Sequence, residues 1–281
     1  MIESTGNAQV KNLTRLIKNR SERKKQNCFI VEGPKMVFEA IEQNAVNKVY
    51  VAQTMWKALN SSDSAFLSCD NDKNNRLAGL DTKEALSELV KVECEVVADK
   101  VFAGISDTVT PQGMLAVAGM RQITLEELLK MNEDKTARYI ILENLQDPGN
   151  LGTILRTAEA AGYDGIIMTK GTVDIYNPKV VRSTMGAIFR VPFTYADDIE
   201  TITGHCQNNG ITVAGAALDG DDIRNVIFPP RLAIIIGNES NGMSDIALGC
   251  CDSLIRIPMK GQAESLNASV AAGILMYESV L

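Results

Sequence analysis

LENLQDPGNLGTILRTAEAAGYDGI, residues 142–166, carries the chain from an apolar strand through a turn into a helix. The turn is Asp-Pro-Gly-Asn at residues 147–150, and helical spacing of apolar residues follows it. The apolar stripe consists of Leu151, Ile154, Leu155 and Ala158. Asn150 stands where an N-cap belongs, and Arg156 points away from the stripe. Taken alone, the stretch also fits a plain strand–turn–helix unit in which Asn150 only caps and Arg156 only forms a salt bridge.

A second stretch, LAIIIGNESNGMSD at residues 232–245, places polar residues directly after a buried strand. The strand ends at Gly237, where glycine permits a close backbone approach or a positive φ. Asn238 and Glu239 follow at once, and an unpaired carboxylate beside an apolar element is costly. The alternative is a simple helix-entry turn in which Ser244 or Asp245 caps the next helix.

A third stretch, LIRIPMKGQAESLNASVAAGILMYE at residues 254–278, combines a strand, a polar loop and an alanine-rich helix. The strand ends at Ile257 and Pro258, and the loop reaches Ser265, Leu266 and Asn267. Ser265 or Asn267 would serve as an N-cap for the helix, and that is the alternative to a functional role.

The region from residue 138 onward predicts an α/β domain with a parallel sheet. Its apolar runs RYIILEN, GIIMTK, ITVAGAA, LAIIIG and SLIRIP are nearly continuous, which suits strands buried on both faces. Helical patterns at residues 151–161, 199–208 and 267–280 lie between or after them. Ligands of such sheets bind beyond the carboxyl ends of the strands, where the three polar stretches fall. The GxGxxG dinucleotide fingerprint is absent.

Residues 1–120 predict a smaller α/β domain, joined by a linker at residues 121–137 to the domain at residues 138–281. An amphipathic helix at residues 5–23 precedes the strand CFIVEG and a helix that begins at Pro34. KVYVA, CEVVA and GMLAVAGM are the other predicted strands. Residues 59–79 predict a polar loop or insertion, and Asp81 with Glu84 predicts a capping box.

The net charge of the chain argues against nucleic-acid binding, whereas the distribution of charge along the chain allows it. The formal net charge of −7 is unusual for a protein that binds nucleic acid. A basic cluster near the N-terminus nevertheless contains a single acid, Glu22, and a local basic face can bind phosphates. The cluster comprises Lys11, Arg15, Lys18, Arg20, Arg23, Lys24 and Lys25. The alternative is a solvated helix surface.

Other sequence features predict a cytoplasmic protein without a metal or a membrane span. The six cysteines show neither zinc spacing nor a disulfide framework. Apolar runs are too short for a transmembrane helix, and the N-terminal residues lack the apolar core of a signal peptide.

Together, in this order and spacing, the three stretches resemble the SpoU (TrmH) family of the SPOUT methyltransferases. The resemblance covers residues 138–281 and includes RSTMGAIFRVP, which is typical of the family. The segment VKNLTRLIKNRSERKKQNCFIVEGPKMVFEAI resembles the substrate-binding domain of many members, which is similar to small ribosomal RNA-binding proteins. The resemblance implies a deep trefoil knot, a homodimer, S-adenosylmethionine as cofactor, and methylation of a ribose 2′-hydroxyl of RNA, with ribosomal RNA favoured over transfer RNA.

The resemblance also implies roles for individual residues. Arg156 would act at the reacting hydroxyl, either as a base or as a cation that stabilises the developing alkoxide. Asn150 would orient Arg156 or the ribose, and Glu239 would hold the loop or pair with a cation. Ser265 and Asn267 would contact the cofactor or the RNA. The cofactor would be bound by Leu218, Gly237, Asn238, Ile257, Pro258, Leu266 and Asn267, and the RNA by Lys11, Arg15, Arg23, Lys24 and Lys25.

Two alternatives stay open on the residues alone. A noncatalytic RNA-binding or assembly factor could keep the fold, although the complete set of motif residues argues against it. A nucleotide-dependent oxidoreductase on a doubly wound sheet is disfavoured by the missing glycine fingerprint. The single histidine, His205, lies far from all three motifs and is expected to be a surface or structural residue.

Overall fold

The computed structural model describes residues 1–60, 82–132 and 136–281. Two compact units form within them: Met1–Arg121 with Tyr176–Phe189, and Gln122–Ile175 with Arg190–Leu281. The predicted cap at Asp81 and most of the predicted insertion lie outside the described residues. The predicted domain boundaries, 1–120, 121–137 and 138–281, stay predictions.

The first unit is built on a four-stranded mixed sheet in the order β1-β4-β2-β3. Strand β4 is antiparallel to both neighbours, whereas β2 and β3 are parallel. Helices α1 and α6 share one apolar core with the sheet. Its elements are α1 (Ala8–Lys18), α2 (Arg20–Gln26), β1 (Cys28–Glu32), α3 (Pro34–Glu42), β2 (Val46–Ala52), α4 (Gln53–Asn60), α5 (Thr82–Val90), β3 (Cys94–Val97), α6 (Asp99–Ile105) and β4 (Met114–Gly119).

The predicted N-terminal helix is two helices, because the chain is extended at Asn19 (φ −120°, ψ 114°). Arg23 folds back from α2 and is only 3% exposed. Its guanidinium donates to the carbonyl oxygens of Leu16 at 2.7 Å and Ile17 at 3.0 Å, which would otherwise lack partners at the end of α1. Arg23 therefore belongs to the packing of α1 against α2, and the prediction that it faces RNA is corrected.

Tyr176–Phe189 lies in the sequence between two strands of the second unit but packs with the first. It contains α9 (Pro178–Ser183) and a 3₁₀ turn at Ala187–Phe189. The Tyr176 ring packs on Phe29 of β1, with ring centroids 4.6 Å apart. The family-typical stretch RSTMGAIFRVP is thus split between the two units.

The second unit is built on a six-stranded sheet in the order β10-β8-β9-β5-β6-β7, and every neighbouring pair is parallel. Its elements are α7 (Leu125–Lys130), β5 (Ala137–Leu142), α8 (Pro148–Ala160), β6 (Gly165–Thr169), β7 (Phe193–Ala196), α10 (Ile199–Asn208), β8 (Thr212–Asp222), β9 (Arg231–Ile236), α11 (Asp245–Gly249), β10 (Ser253–Arg256) and α12 (Ala268–Glu278). The predicted parallel α/β sheet is confirmed.

Strand register places two of the three motifs side by side. Leu142 at the end of β5 pairs with Ile236 at the end of β9. Because the strands are parallel, the loops after residues 142 and 236 leave the same edge of the sheet. The strands themselves are almost wholly buried, as their continuous apolar sequences require. Across the described residues, no helix combines the length and apolar character needed to span a bilayer.

Candidate functional site

Helix α8 begins one turn earlier than the sequence pattern predicted. Asp147 is the N-cap and accepts a hydrogen bond from the Asn150 backbone N–H at 2.8 Å, while Pro148 occupies the first turn. The prediction that Asn150 caps the helix is therefore wrong. Its side-chain amide is free to make other contacts.

Glu239 receives hydrogen bonds from the turn that starts α8. Its carboxylate accepts from the backbone N–H groups of Gln146 at 3.0 Å and Asp147 at 2.8 Å. It also accepts from Nδ2 of Asn150 at 3.1 Å. The carboxylate thus joins the loop after β9 to the loop after β5, with backbone and amide donors supplying the compensation that a charge beside an apolar strand needs.

Asn150 extends this connection to the third motif. Its Oδ1 accepts a hydrogen bond from Nδ2 of Asn267 at 2.9 Å. Oδ1 of Asn267 in turn accepts from the backbone N–H groups of Ser269 at 2.9 Å and Val270 at 3.3 Å, so Asn267 caps α12. Glu239, Asn150 and Asn267 form a continuous hydrogen-bonded chain across all three motifs, which we call the site chain.

The loop that follows Gly237 is a tight turn with little space. Asn238 and Gly242 exchange two backbone hydrogen bonds of 2.9 Å, and a Cβ added at Gly237 would lie 2.3 Å from the Gly242 carbonyl carbon. Of the two predicted reasons for a glycine here, close approach is the one observed. Nδ2 of Asn238 donates to the Asn144 carbonyl at 2.9 Å, so this turn is also tied to the loop after β5.

Two residues that make hydrogen bonds among these loops, Glu143 and Gln146, were not predicted from the sequence. Glu143 is buried and accepts from the backbone N–H of Ser244 at 3.0 Å and from its hydroxyl at 2.5 Å. Ser244 is also the N-cap of α11, so of the two caps that the sequence allowed, Ser244 and Asp245, it is Ser244 that caps the helix. Nε2 of Gln146 donates to the carbonyls of Asn144 at 2.9 Å and Gly171 at 2.7 Å. An acid at the end of an apolar strand was the available signal for Glu143.

Electrostatics keep Glu239 ionised. Desolvation by partial burial acts to raise its pKa, but the hydrogen bonds from Gln146, Asp147 and Asn150 outweigh that effect. The pKa of Glu239 consequently lies below its ordinary value of 4.5. A lowered pKa in the folded state means that the carboxylate stabilises the fold above about pH 4.5 and stops doing so as the pH falls through the folded-state pKa.

We expect Glu239→Gln to lower the free energy of unfolding by about 1 kcal/mol at pH 7, because the amide offers one acceptor where the carboxylate offers two. The difference from the parent should shrink as the pH falls from 4.5 through the lowered pKa of Glu239 in the folded protein. Urea unfolding at pH 7 and at about pH 3.5 measures both values. An equal loss at both pH values would show that the charge of Glu239 is irrelevant. Glu264→Gln, in the exposed loop before α12, is the matched control.

Arg156 lies on the solvent-exposed side of α8. It is six residues beyond Asn150, so the two side chains leave the helix in directions about 120° apart. Within residues 1–60, 82–132 and 136–281, no hydrogen bond or ion pair involves the Arg156 side chain. The expected contact in which Asn150 orients Arg156 is not formed in this single chain, nor is the alternative salt bridge.

The remaining predicted cofactor residues are apolar side chains that are partly or largely exposed. Leu218 on β8 is 69% exposed, an unusual position for a leucine, and Ile257, Pro258 and Leu266 are half-buried. Ser265 is exposed and its hydroxyl makes no hydrogen bond to the described residues. His205 is half-buried in α10. In the described parts of the chain, no three His, Cys, Asp or Glu side chains group together to hold a metal ion.

Comparison with known proteins matches both parts of the chain. A model of the SpoU rRNA Methylase family matches residues 137–277, and one of the MRM3-like substrate binding domain matches residues 7–116. The chain is 32% identical over 278 residues to the 23S rRNA (guanosine(2553)-2'-O)-methyltransferase RlmP of Bacillus subtilis (strain 168). That alignment covers 98% of this chain and 97% of the relative.

Solved structures agree with the sequence matches. The SpoU methyltransferase AviRb from Streptomyces viridochromogenes, in complex with the cofactor AdoMet, superposes with a TM-score of 0.79 at 26% identity, covering 98% of this chain and 97% of that one. The AdoMet-bound rRNA methyltransferase from Sinorhizobium meliloti gives 0.78 at 25% identity, covering 99% and 96%.

A parallel sheet with a hydrogen-bonded set of loops at its strand ends, together with these matches, defines an S-adenosylmethionine-dependent RNA methyltransferase. The chain belongs to the SpoU rRNA Methylase family. The family, the α/β fold class, the cofactor and the class of reaction that the sequence predicted are confirmed. The knot, the homodimer and the roles of individual residues stay predictions.

Proposed function

We propose that this protein transfers the methyl group of S-adenosylmethionine to a ribose 2′-hydroxyl of ribosomal RNA. The observation that carries the proposal is the site chain of Glu239, Asn150 and Asn267, which holds three loops together while leaving Arg156 without a partner in the described residues. An exposed arginine on the same helix as Asn150, with no hydrogen bond or ion pair in the described residues, is available to a substrate.

The residues at the strand ends fit the cofactor. Adenine needs a flat apolar slot and a few edge donors and acceptors, which exposed Leu218, half-buried Ile257 and Leu266, and loop backbone groups supply without charge. The absence of a side chain at Gly237 lets the backbone of Gly242 and Met243 approach the end of β9. When bound, S-adenosylmethionine supplies a methyl group already activated on a sulfonium.

Arg156 would act on the ribose hydroxyl. Arginine is essentially always protonated, so we favour a cation that stabilises the negative charge developing on the 2′-oxygen over a literal base. The Asn150 amide is committed to Glu239 and Asn267 and so would hold the loops in place. Ser265, whose hydroxyl is uncommitted in the described part of the chain, would contact the cofactor or the RNA.

Ribosomal RNA is the favoured substrate because the full-length Bacillus subtilis relative is named for 23S rRNA and a substrate-binding domain matches residues 7–116. Transfer RNA is the alternative, and the putative TrmH family relative from Staphylococcus aureus (strain MSSA476), 40% identical over 171 residues, is named for both. That alignment covers 59% of this chain and 69% of the relative. We propose a cytoplasmic location, which the five free cysteines in the described residues suit.

The test is methyl transfer in vitro. Ribosomal and transfer RNA from cells lacking this protein would be incubated with the protein and labelled S-adenosylmethionine, and 2′-O-methyl sites mapped. We expect one new site in ribosomal RNA. Label in transfer RNA alone would show that transfer RNA is the substrate. If the protein binds RNA but neither binds the cofactor nor transfers label, it would be a noncatalytic assembly factor.

The proposed RNA-binding face consists of Lys11, Arg15, Lys24 and Lys25, all exposed. We expect Lys24→Ala/Lys25→Ala to weaken RNA binding and to reduce the slope of log K against log salt by up to about 1.4, at about 0.7 per phosphate contact. Filter binding across a salt series measures it. Lys57→Ala/Lys130→Ala removes the same charge from exposed positions outside the cluster and should leave the slope unchanged. Equal slopes for the parent and both double variants would show that Lys24 and Lys25 do not contact the RNA.

We also propose a homodimer formed through α12. Val270, Ile274 and Tyr277 recur at helical spacing and are 50%, 37% and 46% exposed, which gives this helix an apolar face toward solvent. A Cβ at Gly273 would lie 3.6 Å from Thr157, so α12 packs beside α8, the helix that carries Arg156. A partner chain on this face would therefore approach Arg156 and could complete the site.

We expect Ile274→Glu to convert the dimer to a monomer, because a carboxylate in the centre of an apolar interface is left without a partner. Light scattering after size-exclusion chromatography measures the mass. Val109→Glu, which places the same charge at a fully exposed loop position, is the control. A dimeric Ile274→Glu protein would exclude this interface.

A further inference from the structure

The loop after β6 lies in none of the three motifs, yet it is hydrogen-bonded to the turn before α8. Strand β5 lies between β9 and β6 in the sheet and runs parallel to both. The loops that follow these three strands therefore leave the same edge of the sheet. Asn144, two residues beyond the end of β5, makes hydrogen bonds to residues of both neighbours, Thr169 at the end of β6 and Asn238 after β9. It thus connects the end of β6 to the turn after β9.

The backbone carbonyl of Asn144 holds two turns of the site. Asn144 has a left-handed backbone with a φ of 54°. Its carbonyl oxygen accepts hydrogen bonds of 2.9 Å from Nε2 of Gln146 and from Nδ2 of Asn238. A carbonyl oxygen has two lone pairs, so both are used. Asn238 belongs to the turn after β9, and the backbone N–H of Gln146 donates to Glu239. The direction of this one carbonyl therefore bears on both turns.

The conformation of Asn144 depends on Thr169, the last residue of β6. The Thr169 hydroxyl accepts a hydrogen bond from the Asn144 backbone N–H at 2.9 Å and donates to Oδ1 of Asn144 at 3.1 Å. A left-handed backbone is unfavourable for residues with a side chain, and asparagine adopts it where its short polar side chain finds a nearby partner. Asn144 is exposed, whereas Thr169 is only 4% exposed. Thr169 is consequently a buried, fixed point to which Asn144 is attached.

Gly171 in the same loop leaves room for this arrangement. A Cβ at Gly171 would overlap Oδ1 of Asn144, so a larger residue would displace the asparagine side chain. The Gly171 carbonyl also accepts the second hydrogen bond of the Gln146 side-chain amide, at 2.7 Å. The loop after β6 therefore supports both Asn144 and the turn before α8.

We propose that Thr169 is a positioning residue for the cofactor: its hydroxyl keeps Asn144 left-handed, so that the Asn144 carbonyl fixes the turn after β9 through Asn238. The inference rests on the proposed placement of S-adenosylmethionine at that turn. Thr169 acts through Asn144 and not on the ligand. Without the hydroxyl, Asn144 relaxes and its carbonyl turns away from Asn238. The turn then occupies its binding conformation less often, and the apparent affinity falls by that fraction.

Removal of the hydroxyl without change of shape provides the test. We expect Thr169→Val to raise the Kd for S-adenosylmethionine about tenfold in calorimetric titration, the scale of one hydrogen bond. The KM for the cofactor should rise equally, while kcat at saturating cofactor stays within about twofold. A general loss of folded protein would instead lower kcat at an unchanged KM. Thr169→Ser keeps the hydroxyl and should recover the affinity. Thr203→Val removes an equally buried hydroxyl whose hydrogen bonds stay within α10, and it is the matched control.

Variants of Asn144 test the conformation itself at an exposed position, where the fold is at little risk. Asn144→Ala should weaken cofactor binding about tenfold, because alanine disfavours the left-handed region. Asn144→Gly lacks the side chain as well but adopts that region freely, so it should recover most of the affinity that Asn144→Ala loses. The same titration measures both. Equal affinities of the alanine and glycine variants would show that the backbone conformation of Asn144 is irrelevant to the cofactor.

The remaining outcomes separate this inference from the proposed function. Parent-like cofactor affinity of Thr169→Val, or equal losses in Thr169→Val and Thr169→Ser, would overturn the role of Thr169. If Gly237→Ala also binds the cofactor as the parent does, the cofactor is not at this turn and the proposed placement fails together with this inference. If Gly237→Ala loses the cofactor while Thr169→Val does not, only the role of Thr169 fails. Calorimetry needs no RNA, so a protein that binds the cofactor but methylates no ribosomal RNA would defeat the proposed function and leave the Thr169 result standing.

Discussion

Arg156→Ala is expected to slow methyl transfer about a thousandfold, the scale on which single groups stabilise a developing oxyanion. The Arg156 side chain is exposed and makes no hydrogen bond or ion pair with the described residues. Its removal should therefore leave the stability of the fold and the affinity for S-adenosylmethionine unchanged. Single-turnover kinetics, calorimetric titration of the cofactor and thermal unfolding together measure the three quantities.

Two further variants separate the roles that Arg156 could have. Arg156→Lys keeps a positive charge, so a cationic stabiliser predicts partial recovery with a rate that declines only near the ordinary lysine pKa of about 10.4. A literal base predicts that the lysine variant gains activity as the pH rises toward that value. Thr153→Ala, at an exposed position one turn earlier on α8, is the control and should behave as the parent. Parent-like turnover of Arg156→Ala would refute any role in the chemistry.

The pattern of apolar residues predicted every strand of the second unit's sheet except β7, and this omission has a physical reason. Strands β5, β6 and β9 are buried on both faces, so their sequences must be continuously apolar. Strand β7, Phe193–Ala196, is only four residues long and contains Thr194, whose hydroxyl donates to the Ile123 carbonyl at 2.6 Å. A strand this short, with a polar side chain that hydrogen-bonds to a distant part of the chain, does not appear in the sequence as a run of apolar residues.

The sequence singled out the three residues of the site chain, Glu239, Asn150 and Asn267, but it did not predict the contacts between them. Two Asx residues flank the turn before α8, and spacing alone favoured Asn150 as the cap, although Pro148 already indicated Asp147. The bond from Asn267 to Asn150 spans 117 positions, which no local pattern encodes. Arg23 shows the same limit, because its charge suggested solvent while the unpaired carbonyls at the end of α1 required a buried donor.

Gly237→Ala is expected to abolish cofactor binding, with at least a hundredfold loss of affinity. The added Cβ would lie 2.3 Å from both the Gly242 carbonyl carbon and the Met243 nitrogen, which are backbone atoms and cannot move as the end of a flexible side chain can. Relief of the clash requires the turn at residues 238–242 to open, which breaks the paired hydrogen bonds between Asn238 and Gly242. Overpacking of this kind also costs about 1–3 kcal/mol of stability.

The controls for Gly237→Ala distinguish a local effect from a general one. Gly249→Ala, at the end of neighbouring α11, adds the same methyl group where nothing lies within 4 Å, and it should bind the cofactor as the parent does. Gly237→Ala should still bind RNA through Lys24 and Lys25, since these lie in the first unit. Loss of both ligands would mean that the protein had unfolded, and retention of S-adenosylmethionine by a folded Gly237→Ala protein would place the cofactor away from the turn after β9. The close approach at Gly237 is thus a direct test of whether this strand end is the cofactor site.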